Sequence, residues 1–229
     1  MAKAARFFVT GTDTDAGKTL VASGLLAAAA AAGLRTLALK PVAAGAEVHD
    51  GELRNDDALQ LMAAMSETLS YAQVNPLVFE PAIAPHIAAE QAGRRLTADQ
   101  LAGYCRGSMM RPADFMLVEG AGGWRVPLNH RETLADLAVA LNLPVILVVG
   151  MKLGCINHAL LTAEAVRADG LPLAGWVANR VDPEMACFDE NLATLQAMLP
   201  APCLGVVPHL DATPTAAEVA RHLDLSPLR

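Results

Sequence analysis

A glycine loop near the start of the chain dictates much of what can be built around it. Gly11-Thr12-Asp13-Thr14-Asp15-Ala16-Gly17-Lys18-Thr19 follows at once on the β-rich stretch Arg6–Thr10 and opens the helix-forming stretch Lys18–Ala32. Strand, glycine loop, Gly-Lys-Thr and helix, in that order, is the layout of a P-loop, with five residues rather than four between the glycines. Small residues let backbone N–H groups wrap phosphate oxygens, and the helix N-terminus adds partial positive charge. In this layout Lys18 reaches the β- and γ-phosphates and Thr19 offers its hydroxyl to Mg2+. A glycine-rich turn without a ligand is the alternative, and Gly-Lys-Thr between a strand and a helix argues against it. The chain is expected to bind a nucleoside triphosphate.

The rest of the chain alternates short β-rich runs with longer helical ones. Strands are expected at Arg6–Thr10, Thr36–Leu39, Phe115–Val118, Val145–Val149, Leu173–Ala178 and Leu204–Val207. Helices are expected at Lys18–Ala32, Asp56–Met65, Ile156–Ala168, Glu190–Met198 and Pro214–His222. Phe115–Val118 and Val145–Val149 are wholly apolar, as parallel strands covered on both faces must be. The pattern predicts an α/β fold with a doubly wound, mostly parallel sheet flanked by helices, of the P-loop NTPase type. Ligands of such sheets sit at the carboxyl ends of the strands. At 229 residues the chain is expected to form a single domain, residues 1–229.

Composition narrows the partners. A formal net charge of −7 speaks against a general nucleic-acid or membrane-surface binder, which usually carries a basic face. Leu20–Leu34 is apolar, but shorter than the ~20 residues a membrane-spanning helix needs, and is expected to pack on the sheet. The N-terminus is too short and polar for a signal peptide. Cys105, Cys155, Cys187 and Cys203 form no metal-ligand or disulfide pattern, so a reducing cytoplasm is expected. Only Lys3, Lys18, Lys40 and Lys152 are lysines, and three of these fall in candidate site segments.

Those segments follow strands. Glu119 comes directly after Phe115–Val118 and before Gly120-Ala121-Gly122-Gly123, which puts a carboxylate where Mg2+ could take it; a solvated strand-end acid is the bland alternative. Asp56 and Asp57 stand at a helix start, where an acid is often only an N-cap. Lys40 ends the second strand, where an ammonium could neutralise a transferring phosphoryl group or a carbamate. Lys152-Leu153-Gly154-Cys155-Ile156-Asn157-His158 opens a helix whose N–H groups could seat a carboxylate or phosphate. His86 and His158 show no partners for general-base work and are read as structural.

Taken together, these residues resemble one family. Phe8–Thr14, Lys40-Pro41-Val42, Val118–Trp124, Val148–His158 and Gly175–Asn179 are similar to dethiobiotin synthetases, and the similarity runs from about residue 6 to 210. The resemblance implies a substrate, 7,8-diaminopelargonic acid, which captures CO2 as a carbamate. ATP phosphorylates the carbamate, and the second amine closes a cyclic urea. It further implies that Thr19, Asp57 and Glu119 coordinate Mg2+, and that Lys40, Lys18 and Thr14 are the catalytic residues. Asp15, Ala16, Gly17, Leu20, Gly120, Ala121 and Gly122 would line the nucleotide. Asn179 and Arg180, with Pro208, His209 and Leu210, would meet the adenine. Ala44 would stand on the substrate side with Lys40. The substrate carboxylate would meet Gly154, Cys155, Ile156 and Asn157 of the neighbouring subunit of a homodimer.

Two positions depart from the family pattern. Relatives often carry a hydroxyl residue at Ala44 that contacts the substrate, and alanine has none to offer. Some relatives place an acid near the nucleotide at about Ala212, so ribose contacts are not carried over there. Two rival readings share the fold. Partition- or septum-type switch ATPases carry an extra lysine early in the phosphate loop, and residues 10–16 hold none. Amidoligases acting on cobyrinic acid generally add a glutaminase domain, which this chain is expected to lack.

Overall fold

The computed structural model describes residues 4–210 and 214–228. The first half of the chain gives β1 (Ala5–Gly11), α1 (Lys18–Ala31), β2 (Thr36–Leu39), β3 (Val42–Ala44), β4 (Glu47–His49), β5 (Glu52–Arg54), α2 (Asp56–Ala64), α3 (Tyr71–Val74), β6 (Leu77–Phe79), α4 (Pro85–Gln91) and α5 (Ala98–Ser108). The second gives β7 (Phe115–Gly123), α6 (Leu134–Leu141), β8 (Val145–Gly150), α7 (Cys155–Ala168), β9 (Leu173–Asn179), α8 (Phe188–Met198), β10 (Cys203–Val207) and α9 (Ala216–Ala220). No described helix is long and apolar enough to cross a membrane.

Six strands form one parallel sheet in the order β10-β9-β8-β1-β7-β2. From β1 the chain winds to β2 and β7 on one side and to β8, β9 and β10 on the other. The winding reverses at β1, so the crevice of the doubly wound sheet opens at its carboxyl end, where the glycine loop stands.

Alternation of side chains sorts the strands' residues between two covers. Phe7, Val9, Ala38, Leu117 and Val148 point towards α1 and α9. Phe8, Leu37, Leu39, Met116 and Val118 point to the opposite face, with α5 and α6, and Leu147, Val149 and Trp176 pack there under α7 and α8. Gly24 in the middle of α1 costs helix propensity. It is needed because a Cβ there would stand 2.5 Å from Val219 of α9.

Most expected elements are present, some with shifted ends. The helix expected over Pro214–His222 is shorter, Ala216–Ala220, and is opened by a capping box from Thr215 to Glu218. β7 runs on to Gly123 instead of stopping at Val118. Glycine allows this, because a Cβ at Gly120 would press to 3.2 Å on the Phe8 ring. β3 to β6 and α3 to α6 were not expected from the sequence; all of these except α6 belong to the excursion between β2 and β7.

Candidate active site

The phosphate loop is held open by its backbone. Asp15 and Gly17 take left-handed conformations, with φ of 59° and 83°. Gly17 caps α1 without any side-chain hydrogen bond, so the first N–H groups of α1 are left for a ligand. A side chain at Gly17 would collide with Asn179, whose Nδ2 stands 2.0 Å from where its Cβ would be. Thr12 ties the loop down: its N–H donates to Val148 O at 2.9 Å, and its Oγ1 accepts from Gly150 N–H at 3.2 Å.

Lys18 is buried beside this loop and donates to Asp13 O at 3.3 Å. Burial, and next the Lys40 ammonium nearby, push its pKa below the ordinary lysine value. Two cations share a small volume here, and an arriving polyphosphate relieves the strain between them.

Lys40 is the centre of the cluster. It emerges at the end of β2, 2% exposed, and its Nζ donates to Glu119 Oε1 at 2.6 Å, Asp57 Oδ2 at 2.7 Å and Gly120 O at 3.2 Å. Burial works against its charge, but Glu119 and Asp57 outweigh it and raise the pKa. For Asp57 burial again opposes the charge, and Lys40 more than compensates, lowering the pKa. Thr19 Oγ1 donates to Glu119 Oε1 at 2.7 Å, which joins the glycine loop to the same carboxylate.

Glu119 is not the solvated strand-end acid. It lies inside β7, paired in register with Val9, and is fully buried. Nor is Asp57 a cap, because Asn55 fills that role by accepting from Ala58 N–H at 3.4 Å. Asp57 stands one residue into the helix, and its carboxylate faces the cleft, joined to Lys40.

Behind Lys40 lies a set of residues that the sequence did not single out. Asn75, 2% exposed, donates from Nδ2 to Lys40 O at 2.6 Å, and Lys40 N–H donates to Val74 O at 2.9 Å. Tyr71 Oη donates to Asn75 Oδ1 at 2.7 Å and accepts from Asn55 N–H at 2.7 Å. The backbone that carries Lys40 and the cap of the helix that carries Asp57 are thus fastened to one another. No spacing signal marks their role, because the main-chain atoms they hold, Lys40 O and Asn55 N–H, are far away in sequence.

The cluster opens into a cleft of ≈ 820 Å³, lined by Thr14, Asp15, Gly17, Lys18, Thr19 and Leu20 on one wall. Lys40, Ala44, Asp57, Ala121 and Gly122 line it elsewhere, and Ala82–Pro85 and Val126 complete it. Ala16 is buried beneath the loop, and its carbonyl accepts from Asn179 Nδ2 at 2.9 Å. Ala44 offers only its main chain, and its carbonyl accepts from Asn55 Nδ2 at 3.4 Å.

The remaining candidates stand to either side. Asn179 ends β9 opposite Val207 of β10, which brings Arg180 and Pro208–Leu210 together; Arg180 N–H donates to Val207 O at 2.9 Å. Ala212 lies outside the described residues. The turn Gly154–Asn157 follows β8, three strands from Lys40, a separation of about 14 Å at the usual strand spacing. Within one chain the structure does not bring it to Lys40. Neither His86 nor His158 lines the catalytic cleft.

Whether a divalent cation fits can be judged from the donors. Thr19, Asp57 and Glu119 offer only oxygen, the chemistry Mg2+ prefers. Glu119 Oε2 is buried with no hydrogen-bond partner, so one carboxylate oxygen is held ready and unspent. Among the described residues no group of three or more His, Cys, Asp or Glu could hold an ion unaided. Two carboxylates and a hydroxyl are the complement expected when phosphate oxygens and water complete the shell.

Comparison with known proteins bears on the family and the fold. Residues 5–216 match the family described as AAA domain. Among solved structures, the septum site-determining protein MinD complexed with Mg-ADP from Pyrococcus horikoshii superposes with a TM-score of 0.54 at 18% identity, covering 89% of this chain and 81% of that one. FtsY from Thermotoga maritima gives 0.54 at 14% identity, covering 99% and 67%. Both likenesses concern the fold alone. The ATP-dependent dethiobiotin synthetase BioD of Cellvibrio japonicus is 64% identical over 222 residues, covering 97% of this chain and 96% of its own. The protein of the same name from Pseudomonas aeruginosa is 63% identical, with 97% of each chain covered, and that of Aeromonas hydrophila is 51% identical over 97% and 98%. At such identity over nearly the whole length, the chain belongs to the ATP-dependent dethiobiotin synthetase family.

Proposed function

We propose that the cleft closes the ureido ring of dethiobiotin on 7,8-diaminopelargonic acid, using CO2 and ATP and releasing ADP and phosphate. The chain is an ATP-dependent ligase of biotin biosynthesis that forms C–N bonds. The observation that carries the residue-level reading is the buried Lys40 ammonium bridging Glu119 and Asp57 beside Lys18 and the phosphate loop.

One amine of the diamine adds to CO2, giving a carbamate. A carbamate oxygen attacks the γ-phosphorus of ATP, and ADP leaves. The second amine then attacks the carbamoyl carbon, phosphate leaves, and the ring closes. Lys18 answers negative charge on the β- and γ-phosphates, and the free N–H groups of α1 share the load. Thr14 and Lys40 line the side on which carbamate charge builds, and a compact, buried ammonium stabilises it. Thr19, Asp57 and Glu119 would hold Mg2+, which would supply positive charge to offset that of the phosphates.

The Gly154–Asn157 turn takes the substrate carboxylate in a second subunit. Supporting this are its distance from Lys40 and its uncapped helix start, with Gly154 at φ 96° and no side-chain cap. The enzyme is then a homodimer working in the cytoplasm. The direct test supplies the diamine, bicarbonate and MgATP and looks for dethiobiotin and ADP in equal amounts. ADP without dethiobiotin would refute the reading.

A further inference from the structure

Beside the catalytic cleft lies a second cavity with a different character. It measures ≈ 460 Å³ and is lined by Arg94, Arg95, Arg131, His86 and His130, with Glu90 as its one acidic wall residue. Its three arginines are exposed and meet at one cavity. Among the described residues none of the three arginines forms an ion pair with a carboxylate. Glu90 is engaged with His130, 3.4 Å away, and Arg94 lies over the Phe79 ring at 5.9 Å.

The walls are built rather than incidental. Asn129 Oδ1 accepts from Arg131 N–H at 2.9 Å and from Glu132 N–H at 3.1 Å, which fixes the turn that presents Arg131. Asn129 Nδ2 donates to Leu96 O at 2.8 Å, tying that turn to the segment that carries Arg94 and Arg95. Both walls also continue into the catalytic cleft. Pro85 and Val126 line the catalytic cleft, whereas His86 and Leu128 line this one.

We propose that this basic cavity is a second anion site, distinct from the nucleotide's phosphate seat, and that it takes a compact small molecule carrying linked phosphoryl groups. The volume suits a small ligand, not a macromolecule. Planar guanidinium forks without carboxylate partners match phosphoryl oxygens two at a time, and clustering leaves their mutual repulsion to be relieved by a polyanion. Because neighbouring residues line the two cavities, the site is placed to act on the substrate side of the cleft.

Pyrophosphate is the probe. It is titrated by calorimetry, without divalent cations, into Lys18→Ala protein, so that the phosphate loop is disabled. Binding is expected, and Arg94→Gln/Arg131→Gln in the same background should weaken it by about tenfold or more, given the strength of charge-assisted pairs. Arg111→Gln, a change at an exposed arginine outside the cavity, should leave it unaltered. The double substitution with Lys18 intact should turn over within about twofold of the parent, and an unchanged melting curve would show that the fold is kept. Three results would overturn the proposal: no binding to the Lys18→Ala protein, binding that survives the double substitution, or displacement of pyrophosphate by the diamine, which would give the arginines to the substrate's carboxylate.

Discussion

The two ends of the carboxyl edge of the sheet are built on opposite principles. At the β2–β7 end, Lys40, Glu119, Asp57 and Thr19 satisfy one another within the chain at 2.6–2.7 Å, and Asn75 and Tyr71 brace the backbone behind them. At the β8 end, the turn before α7 is nearly unsupported. Leu153 is 93% exposed, Asn157 is exposed, and Lys152 reaches only Asp13, at 3.4 Å. A Cβ at Gly154 would meet nothing within 4 Å, so the glycine is there for its backbone angle and not for internal packing. One end is organised before any ligand arrives, while the other presents groups outward. A preorganised end suits charge stabilisation, whose strength depends on fixed dipoles. An outward end suits a partner surface.

Substitutions at the organised end should have the largest effects. Lys18→Ala removes a buried ammonium from the phosphate seat and should cost about 10²–10³ in ATP turnover, read as ADP release at saturating substrate. Near-normal turnover would undo the phosphate-loop assignment. Lys40→Ala should abolish ring closure to a similar extent while MgATP still binds. It should also destabilise the fold by about 3–5 kcal/mol, because Glu119 is left buried without its cation. Lys40→Arg should restore stability better than rate, since a planar fork replaces a compact ammonium. Loss of nucleotide affinity with unchanged turnover would show that Lys40 belongs on the other side of the chemistry.

The Lys40–Asp57 pair should persist across the neutral range. The raised Lys40 pKa gives stability that is full below the ordinary lysine value and lost only as pH rises through the raised one. The lowered Asp57 pKa gives stability present above the ordinary carboxylate value and lost as pH falls through the lowered one. The Asp57 contribution is small, because its side chain is 43% exposed. A stability profile sloping steeply between pH 6 and 8 would contradict the pairing.

Tyr71→Phe tests whether the brace matters. It strips Asn55 N–H and Asn75 Oδ1 of a partner and should cost about 1–3 kcal/mol in stability. If the brace positions Lys40, kcat should fall while nucleotide KM holds; an equal loss in both would make Tyr71 merely structural. Gly154→Ala should be milder, about 1 kcal/mol of backbone strain, with a raised KM for the diamine and little change in ATP affinity. At the small end of the scale, thiol labelling should modify exposed Cys187 readily and spare Cys105, whose pKa burial pushes up to about 12.

How much of this could be read from sequence differs between the same two regions. The phosphate loop and the strands were legible because glycine spacing and apolar runs are local signals. The Lys40 cluster was legible as separate residues, but its closure was not, since Lys40 and Glu119 stand 79 positions apart. Glu119 was placed one step outside its strand because a run of glycines looks like a loop. Asn75 and Tyr71 escaped, because what gives them meaning is their reach to the Lys40 carbonyl and the Asn55 N–H, 35 and 16 positions away. By contrast α6 could have been found, as Thr133 and Asp136 spell a capping box ahead of an apolar run. The outward turn was legible as a helix-opening anion site, and only its place against a neighbouring subunit came from the family resemblance.

The division into an inward end and an outward end is tested most directly by complementation. Lys40→Ala chains and Asn157→Trp chains are each expected to be inactive alone. Mixed under conditions that exchange subunits, they should regain activity corresponding to about one intact site per heterodimer, by the two-fold symmetry of such an assembly. Demonstrably mixed dimers with no recovered dethiobiotin synthesis, or full activity from the unmodified protein as a monomer at assay concentration, would contradict a site shared between two chains.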